Sequence, residues 1–149
     1  MQHWPQTETL AFDCEDGWLT IHLNRPEQRN AMSRQMTAEL AEALIQARAD
    51  RSLRGIILRG VGGTFCAGGD LAEFKTDFQS STPDRADIEA ASRAAGQLFY
   101  KLNTMPQVTI ALVEGAAMAG GIGLMCACDI SVAVQGAKFS LTETTLGIP

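Results

Sequence analysis

The stretch from residue 108 to residue 134 limits the fold more than any other part of the chain. Val108–Val113 is the strongest strand pattern in the sequence, an apolar run broken only by Thr109 and closed by Gly115. Gly120-Gly121-Ile122-Gly123 then opens a small-residue segment that reaches Cys128, the composition of a helix packed closely against a neighbour. Ile130–Val134 returns as a strand. Strand, glycine turn, helix and strand in succession define an α/β chain. The same succession occurs earlier, where the short apolar run Gly55–Leu58 ends at Gly60, Val61-Gly62-Gly63 forces a loop, and a short helix follows Asp70.

The flanking segments extend this alternation. Leu10–Phe12 and Trp18–Leu23 show β-prone patterning around Asp16-Gly17, which predicts an opening hairpin. Ser33 is a suitable N-cap for a helix in which Met36, Leu40, Leu44 and Ala47 recur at helical spacing up to Asp50. Residues 76–82 are polar and aperiodic, which predicts a loop able to gate a site, and Thr82-Pro83 reads as the cap and first residue of a second long helix. On that helix Ile88, Ala91, Ala95, Leu98 and Leu102 share one face. The resulting order is β-β-α-β-α-α-β-α-β, without a linker or low-complexity tract, so residues 1–149 form one unit.

Composition removes several functional classes. Hydrophobic residues at 46% and charged residues at 19% describe a packed protein and exclude general disorder. Twelve Lys and Arg against 17 Asp and Glu give a net charge of −5, which argues against a nucleic-acid or anionic-membrane surface. Four cysteines form no CxxC pair, and only His3 and His22 are available to join them, so no metal site is expected. The amino terminus lacks the pattern of a signal peptide, and no apolar stretch reaches the ~20 residues a membrane helix needs. A cytoplasmic protein with reduced thiols is the expectation.

Sequences for nucleotide phosphate cradles, GxxxxGK[ST] and GxGxxG, are absent, as is a GxSxG elbow. Neither histidine is placed to serve a Ser or Cys nucleophile. Cys66 has no predicted histidine or lysine near it to lower its pKa and reads as a small buried thiol; Cys126 and Cys128 read as core residues. Two glycine-rich turns remain, Phe65 to Leu71 and Gly115 to Gly123. Backbone N–H groups at such turns and at helix N-termini are free to hold a developing oxyanion. The same glycines are also what tight turns and close helix packing require.

Taken in order, Asn24-Arg25-Pro26-Glu27 with Asn30-Ala31-Met32, Phe65 to Leu71, Val113 to Asp129 and Phe139 to Pro149 resemble the crotonase (enoyl-CoA hydratase/isomerase) superfamily. The resemblance runs through nearly the whole chain. It implies a crotonase-type superhelix of β-β-α units, an acyl thioester of coenzyme A as substrate with no separate cofactor, and assembly as a homotrimer or dimer of trimers. Carried over residue by residue, it makes the amides of Ala67 and Gly120 the oxyanion hole, with Gly68, Gly69 and Asp70 along the same substrate wall. It places Asn30 and Ala31 in the turn where relatives contact coenzyme A, although Asn30 also fits as a turn residue bonding its own backbone. Glu143 matches the position of a family catalytic glutamate; without the resemblance it reads as a first-turn glutamate favoured by the helix dipole, with Thr142 as cap.

One position departs from the family pattern. Where two-glutamate hydratases carry their other acid/base, this chain has Gly123. Glu114 and Asp129 are close in sequence but read as structural. The reading that follows is a lyase adding water to a 2-enoyl-CoA, with an enoyl-CoA isomerase using the single glutamate as the alternative. A non-catalytic acyl-CoA binding module is the third possibility. The resemblance also implies that the chain stops before the C-terminal helical region of its relatives, and that residues 1–149 alone expose apolar surface on their core helices.

Overall fold

A computed structural model describes residues 4–79 and 84–147. The predicted hairpin is present as β1 (Leu10–Glu15) and β2 (Trp18–Leu23), paired antiparallel, with Asp16 and Gly17 both at positive φ in the turn. Helix α1 (Arg34–Ala49) begins at Ser33, whose hydroxyl accepts the Met36 N–H at 3.1 Å, and buries Met36, Leu40, Leu44 and Ala47 as their spacing predicts. Next come β3 (Gly55–Gly60), the three-residue strand β4 (Thr64–Cys66) and α2 (Leu71–Gln79).

Helix α3 (Arg85–Asn103) is capped by Asp84, whose carboxylate accepts the N–H groups of Ala86 and Asp87. This corrects two expectations. Residues 76–79 form the last turn of α2 instead of a loop, with the Thr76 hydroxyl donating to the Ala72 carbonyl, while residues 80–82 of the expected loop lie outside the described residues. The expected cap and first helical residue, Thr82 and Pro83, are likewise outside them. Of the apolar face expected on α3, Leu98 and Leu102 are fully inside, while Ile88, Ala91 and Ala95 are half-buried.

The chain then runs through β5 (Val108–Val113), β6 (Ala116–Met118), α4 (Gly120–Ala127), β7 (Ile130–Ala133), β8 (Lys138–Ser140) and the short α5 (Glu143–Leu146). Two sheets result. The larger has the order β1-β2-β3-β5-β7, parallel except for the opening hairpin, and the smaller has the order β4-β6-β8, entirely parallel. From β3 onward, each strand of the first sheet (β3, β5, β7) is followed by a short strand of the second (β4, β6, β8) and then by a helix, so the chain climbs one strand in both sheets per turn. The alternating residues Leu19, Ile21 and Leu23 of β2, with Ile56 and Leu58 of β3 and Ala111 and Val113 of β5, supply the sheet side of the core. Helices α1 and α3 supply the other side, and Phe65 and Leu124 fill the space beneath the small sheet.

Gly60 and Gly115 sit where the chain passes from the large sheet to the small one. A Cβ at Gly115 would lie 1.9 Å from the Gly63 carbonyl oxygen, and one at Gly60 would lie 2.0 Å from that of Thr64, so neighbouring backbones meet only because side chains are absent there.

The upper edges of both sheets carry apolar side chains to solvent. Ile130, Val132 and Val134 on and after β7, and Phe139 and Leu141 on and after β8, are all about half exposed. Exposed apolar surface also lies on the helices, as expected, at Ile45 of α1, Leu71 and Phe74 of α2 and Tyr100 of α3, but its contiguous part is on the last strands. Such an edge with unpaired backbone groups is a pairing template. The 149-residue chain is expected to self-associate in sedimentation velocity, and Val132→Lys combined with Phe139→Lys should move the boundary toward the monomer. A monomeric unmodified chain with a sharp cooperative melt would contradict this.

Candidate functional site

The carboxyl ends of the three small-sheet strands all point to one end of the molecule, because the strands are parallel. From β4 the chain enters Ala67-Gly68-Gly69-Asp70 and then α2; from β6 it passes Ala119 into α4; from β8 it passes Leu141-Thr142 into α5, which starts with Glu143. In open parallel sheets, ligand sites collect at such strand ends. The Ala119 N–H donates to the Ser140 carbonyl at 2.9 Å, so the start of α4 and the approach to Glu143 are tied side by side.

The amides at this end decide which groups are available. Gly120 is the first residue of α4, and neither its N–H nor that of Gly121 has a partner among the described residues. These amides carry the positive end of the helix dipole. The expectation for Ala67 requires correction, since its N–H donates to the Arg29 carbonyl at 3.0 Å and is already satisfied. Two residues on, Met32 forms a parallel bridge around Gly69, accepting from Asp70 N–H at 3.1 Å and donating to the Gly68 carbonyl at 2.7 Å. The Gly69 N–H between them is directed away from Met32. It is unpartnered among the described residues, and Gly69 is exposed. Gly68 lies against Gly120, with its Cα 4.0 Å from where a Gly120 Cβ would stand. The available amide pair is therefore Gly69 with Gly120. Distinguishing Ala67 from Gly69 requires knowing which N–H the Arg29 carbonyl takes, and that pairing spans 38 residues.

Close packing brings these two turns together. A Cβ at Gly68 would lie 2.6 Å from Ala119 Cβ, and one at Gly121 would lie 2.4 Å from the Cys66 carbonyl oxygen. Ala119 itself is held at φ 49°, ψ −124°, a strained conformation for a residue with a side chain.

Glu143 is half-buried, and its Oε2 is fully buried with no hydrogen-bond partner among the described residues. A buried carboxylate oxygen left unpaired by the protein is rare in stable structures. Thr142 makes no side-chain cap for α5, contrary to expectation; the Thr144 hydroxyl donates to the Leu141 carbonyl instead. Opposite, a Cβ at Gly123 would lie 2.9 Å from both Cε2 and Cζ of Phe99 on α3, so an aromatic ring occupies the space a side chain there would need.

Asn30 and Ala31 serve the scaffold. Asn30 is fully buried at φ 55°, accepts the Arg25 N–H through Oδ1 at 2.9 Å, and donates through Nδ2 to the carbonyls of Val61 at 2.9 Å and Thr64 at 2.7 Å. Its side chain thus acts as the backbone-bonding turn residue that the sequence also allowed, with both amide donors used within the protein. Ala31 is buried, and its carbonyl accepts from Arg25 Nη1 at 2.6 Å. The same guanidinium pairs through Nη2 with Asp70 at 2.9 Å, both side chains being largely buried. Sequence reasoning missed Arg25 as the residue joining the two turns.

Burial raises the Asp70 carboxyl, but the hydrogen bond from Arg25, the amides of Ala72 and Glu73 and the Arg25 charge outweigh it and hold it below the usual 3.8. Burial pushes the Cys66 thiol up to about 11 against hydrogen bonds from Gly68 and Met32, and pushes Cys128 up to about 12 with the Asp129 charge assisting, so neither is a thiolate nucleophile. Cys126 is exposed, not a core residue. Glu114 forms a bidentate pair with Arg59, and Asp129 accepts from the N–H and hydroxyl of Thr109, both structural roles as expected. Among the described residues no three His, Cys, Asp or Glu side chains converge to hold a metal ion, and no helix is long and apolar enough to cross a membrane.

The profile of the enoyl-CoA hydratase/isomerase family matches residues 13–149. The chain belongs to this family. It is 38% identical over 133 residues to the bovine mitochondrial enoyl-CoA hydratase domain-containing protein 2, covering 89% of this chain and 43% of that protein. It is 36% identical over 141 residues to the 1,2-epoxyphenylacetyl-CoA isomerase of Escherichia coli, covering 95% and 53%. The crystal structure of Pseudomonas aeruginosa AtuE superposes with a TM-score of 0.88 at 43% identity, over 95% of this chain and 54% of that one. The fold is thus the crotonase-type α/β superhelix, and the chain spans about half the length of the relatives it matches.

Two outcomes follow for the family scaffold. Asn30→Ala leaves the Arg25 amide and the Val61 and Thr64 carbonyls without their buried partner, and should cost at least about 3 kcal/mol in denaturant unfolding. Because the folded-state pKa of Asp70 is depressed, its contribution is complete above its unfolded value near 3.8 and is lost as pH falls through the lower folded value. Asp70→Asn should therefore flatten the acid limb of a stability profile below about pH 4.

Proposed function

We propose that the chain contributes the catalytic half of an enzyme that adds water reversibly across the C2–C3 double bond of an enoyl-CoA thioester. The observation that supports this reading is that the Gly69 amide, the Gly120 amide and Glu143 each follow one of three parallel strands at their carboxyl ends. The two amides hold the thioester carbonyl oxygen, and their hydrogen bonds strengthen as it becomes an enolate oxygen. Water delivers hydroxyl to C3 and a proton to C2, with Glu143 accepting the proton from the attacking water and returning one to the enolate carbon. Coenzyme A belongs to the substrate, and no further cofactor enters. The family match and the hydratase named among the relatives support this assignment. A trimeric assembly and a cytoplasmic setting are part of the same proposal, although the bovine relative is named as mitochondrial.

A second reading is favoured by one observation. Phe99 fills the space over Gly123, so a single carboxylate serves the site, and a single carboxylate suffices to move a proton between C2 and C4 of an enoyl thioester. The relative named as an isomerase belongs to the same family.

Mass spectrometry of 2-enoyl and 3-enoyl CoA thioesters incubated with the protein separates these chemistries. Hydration gives a product heavier by one water, isomerisation gives unchanged mass with a shifted double bond, and absence of any product leaves an acyl-CoA binding module. Under either enzymatic reading Glu143→Gln should lower turnover by about 10²- to 10⁴-fold while thioester affinity stays within a few-fold. Full turnover in that variant would remove Glu143 from the mechanism.

A further inference from the structure

A cavity of about 400 Å³ opens beside Gly69 between α1, α2 and α3. Its apolar wall includes Met32 at the amide end and Ala91, Ala95 and Leu98 from α3. Four carboxylates also line it: Asp70, Glu73, Asp77 and Asp87. Arg34 is the only cation among the described lining residues.

That guanidinium is already committed. Its Nη2 donates to both oxygens of Asp77 at 2.9 Å, and its Nη1 lies 3.7 Å from Asp87. Glu73 accepts the Arg34 backbone N–H at 3.0 Å, and Asp70 is paired with Arg25 from outside the cavity. The lining therefore carries one formal positive charge against four negative ones, of which Asp70 is balanced by Arg25, and its cation is already paired with Asp77, so Glu73 and Asp87 remain in excess. A carboxylate brought into this space meets net repulsion at short range in a partly desolvated setting. An alkyl group meets small apolar side chains that leave it room.

We propose that this cavity takes the acyl part of the thioester and selects for neutral, apolar acyl groups against those bearing a distal carboxylate, with Asp77 and Asp87 as the discriminating residues. The inference rests on the proposed function, since it places the thioester carbonyl at Gly69.

Calorimetric titration of the protein with pentanoyl-CoA and with glutaryl-CoA tests it. The two ligands share chain length and the coenzyme A phosphates and differ in the terminal carboxylate. Pentanoyl-CoA is expected to bind at least tenfold more tightly, with the gap narrowing at 0.5 M salt. Asp77→Asn together with Asp87→Asn should close most of the gap by removing two charges and releasing Arg34. Ala95→Leu, which narrows the apolar wall without touching an ion pair, should weaken pentanoyl-CoA relative to free coenzyme A. Equal affinity for the two thioesters would overturn the charge selection and leave the proposed function standing. Tight binding of both with no effect of Ala95→Leu would overturn the placement of the acyl group in this cavity. Absence of binding by both thioesters would overturn the proposed function and this inference with it.

Discussion

The Asn30 carboxamide is the contact on which the site depends. It sits fully buried in a left-handed turn and bonds three backbone segments: the Arg25 amide that follows β2, the Val61 carbonyl that follows β3, and the Thr64 carbonyl that begins β4. Those bonds fix where the chain leaves the large sheet and enters the small one. Arg25 continues the same node outward to the Ala31 carbonyl and to Asp70, which in turn caps α2 through the Ala72 N–H. One polar cluster therefore holds the turn after β2 against the turn after β4. Left unpaired in a buried setting, each of its backbone groups would cost on the order of 1–3 kcal/mol, so the cluster is satisfied together or not at all.

Given that frame, the free amide pair on which the proposed oxyanion hole rests follows from parallel-strand geometry. The Met32 bridge takes the Gly68 carbonyl and the Asp70 amide, which leaves the intervening Gly69 amide directed the other way. The Arg29 carbonyl takes the Ala67 amide, so only one N–H in the turn is offered outward. At α4 the first-turn amides are free because a helix start leaves them so. Two donors from different strand ends then need no side chain, only close approach, and glycines at 68, 120 and 121 permit that approach. The positive φ of Ala119 belongs to the same compromise: its backbone is turned to donate to Ser140 while α4 starts at the next residue.

Much of the large sheet and its helices was legible in the sequence because each element carries its own period. The apolar spacing of α1 and α3 and the apolar run of β5 needed no distant partner to be read. The three strands of the small sheet were not legible, since each is three residues long and made of residues such as Thr64, Ala116 and Lys138 that have no alternating pattern. They exist because each pairs with a strand roughly 20 to 50 residues away. The free amide pair was only partly legible for the same reason. Gly120 was readable as the start of a small-residue helix, whereas choosing Gly69 over Ala67 depends on the Arg29 carbonyl and the Met32 bridge. Asn30 was legible as a turn residue, but its bonds to Val61 and Thr64 were not.

Gly123 and Phe99 show how the absence of one side chain constrains reaction chemistry through packing. Loss of a carboxylate from α4 would by itself leave a gap that water could fill. Here the Phe99 ring stands within contact of the vacated Cβ position, so the helix–helix interface of α3 and α4 closes over it. Restoring an acid at residue 123 would consequently require moving an aromatic ring out of a packed interface, an overpacking cost of about 1–3 kcal/mol before any chemistry is gained. Under the proposed function, proton transfer would fall to Glu143, whose buried, unpartnered Oε2 is the one carboxylate oxygen among the described residues that the protein leaves unbonded in its interior. Such an arrangement suits a reaction in which the protein supplies one mobile proton and two fixed amides, and in which the substrate's own carbonyl accumulates the charge.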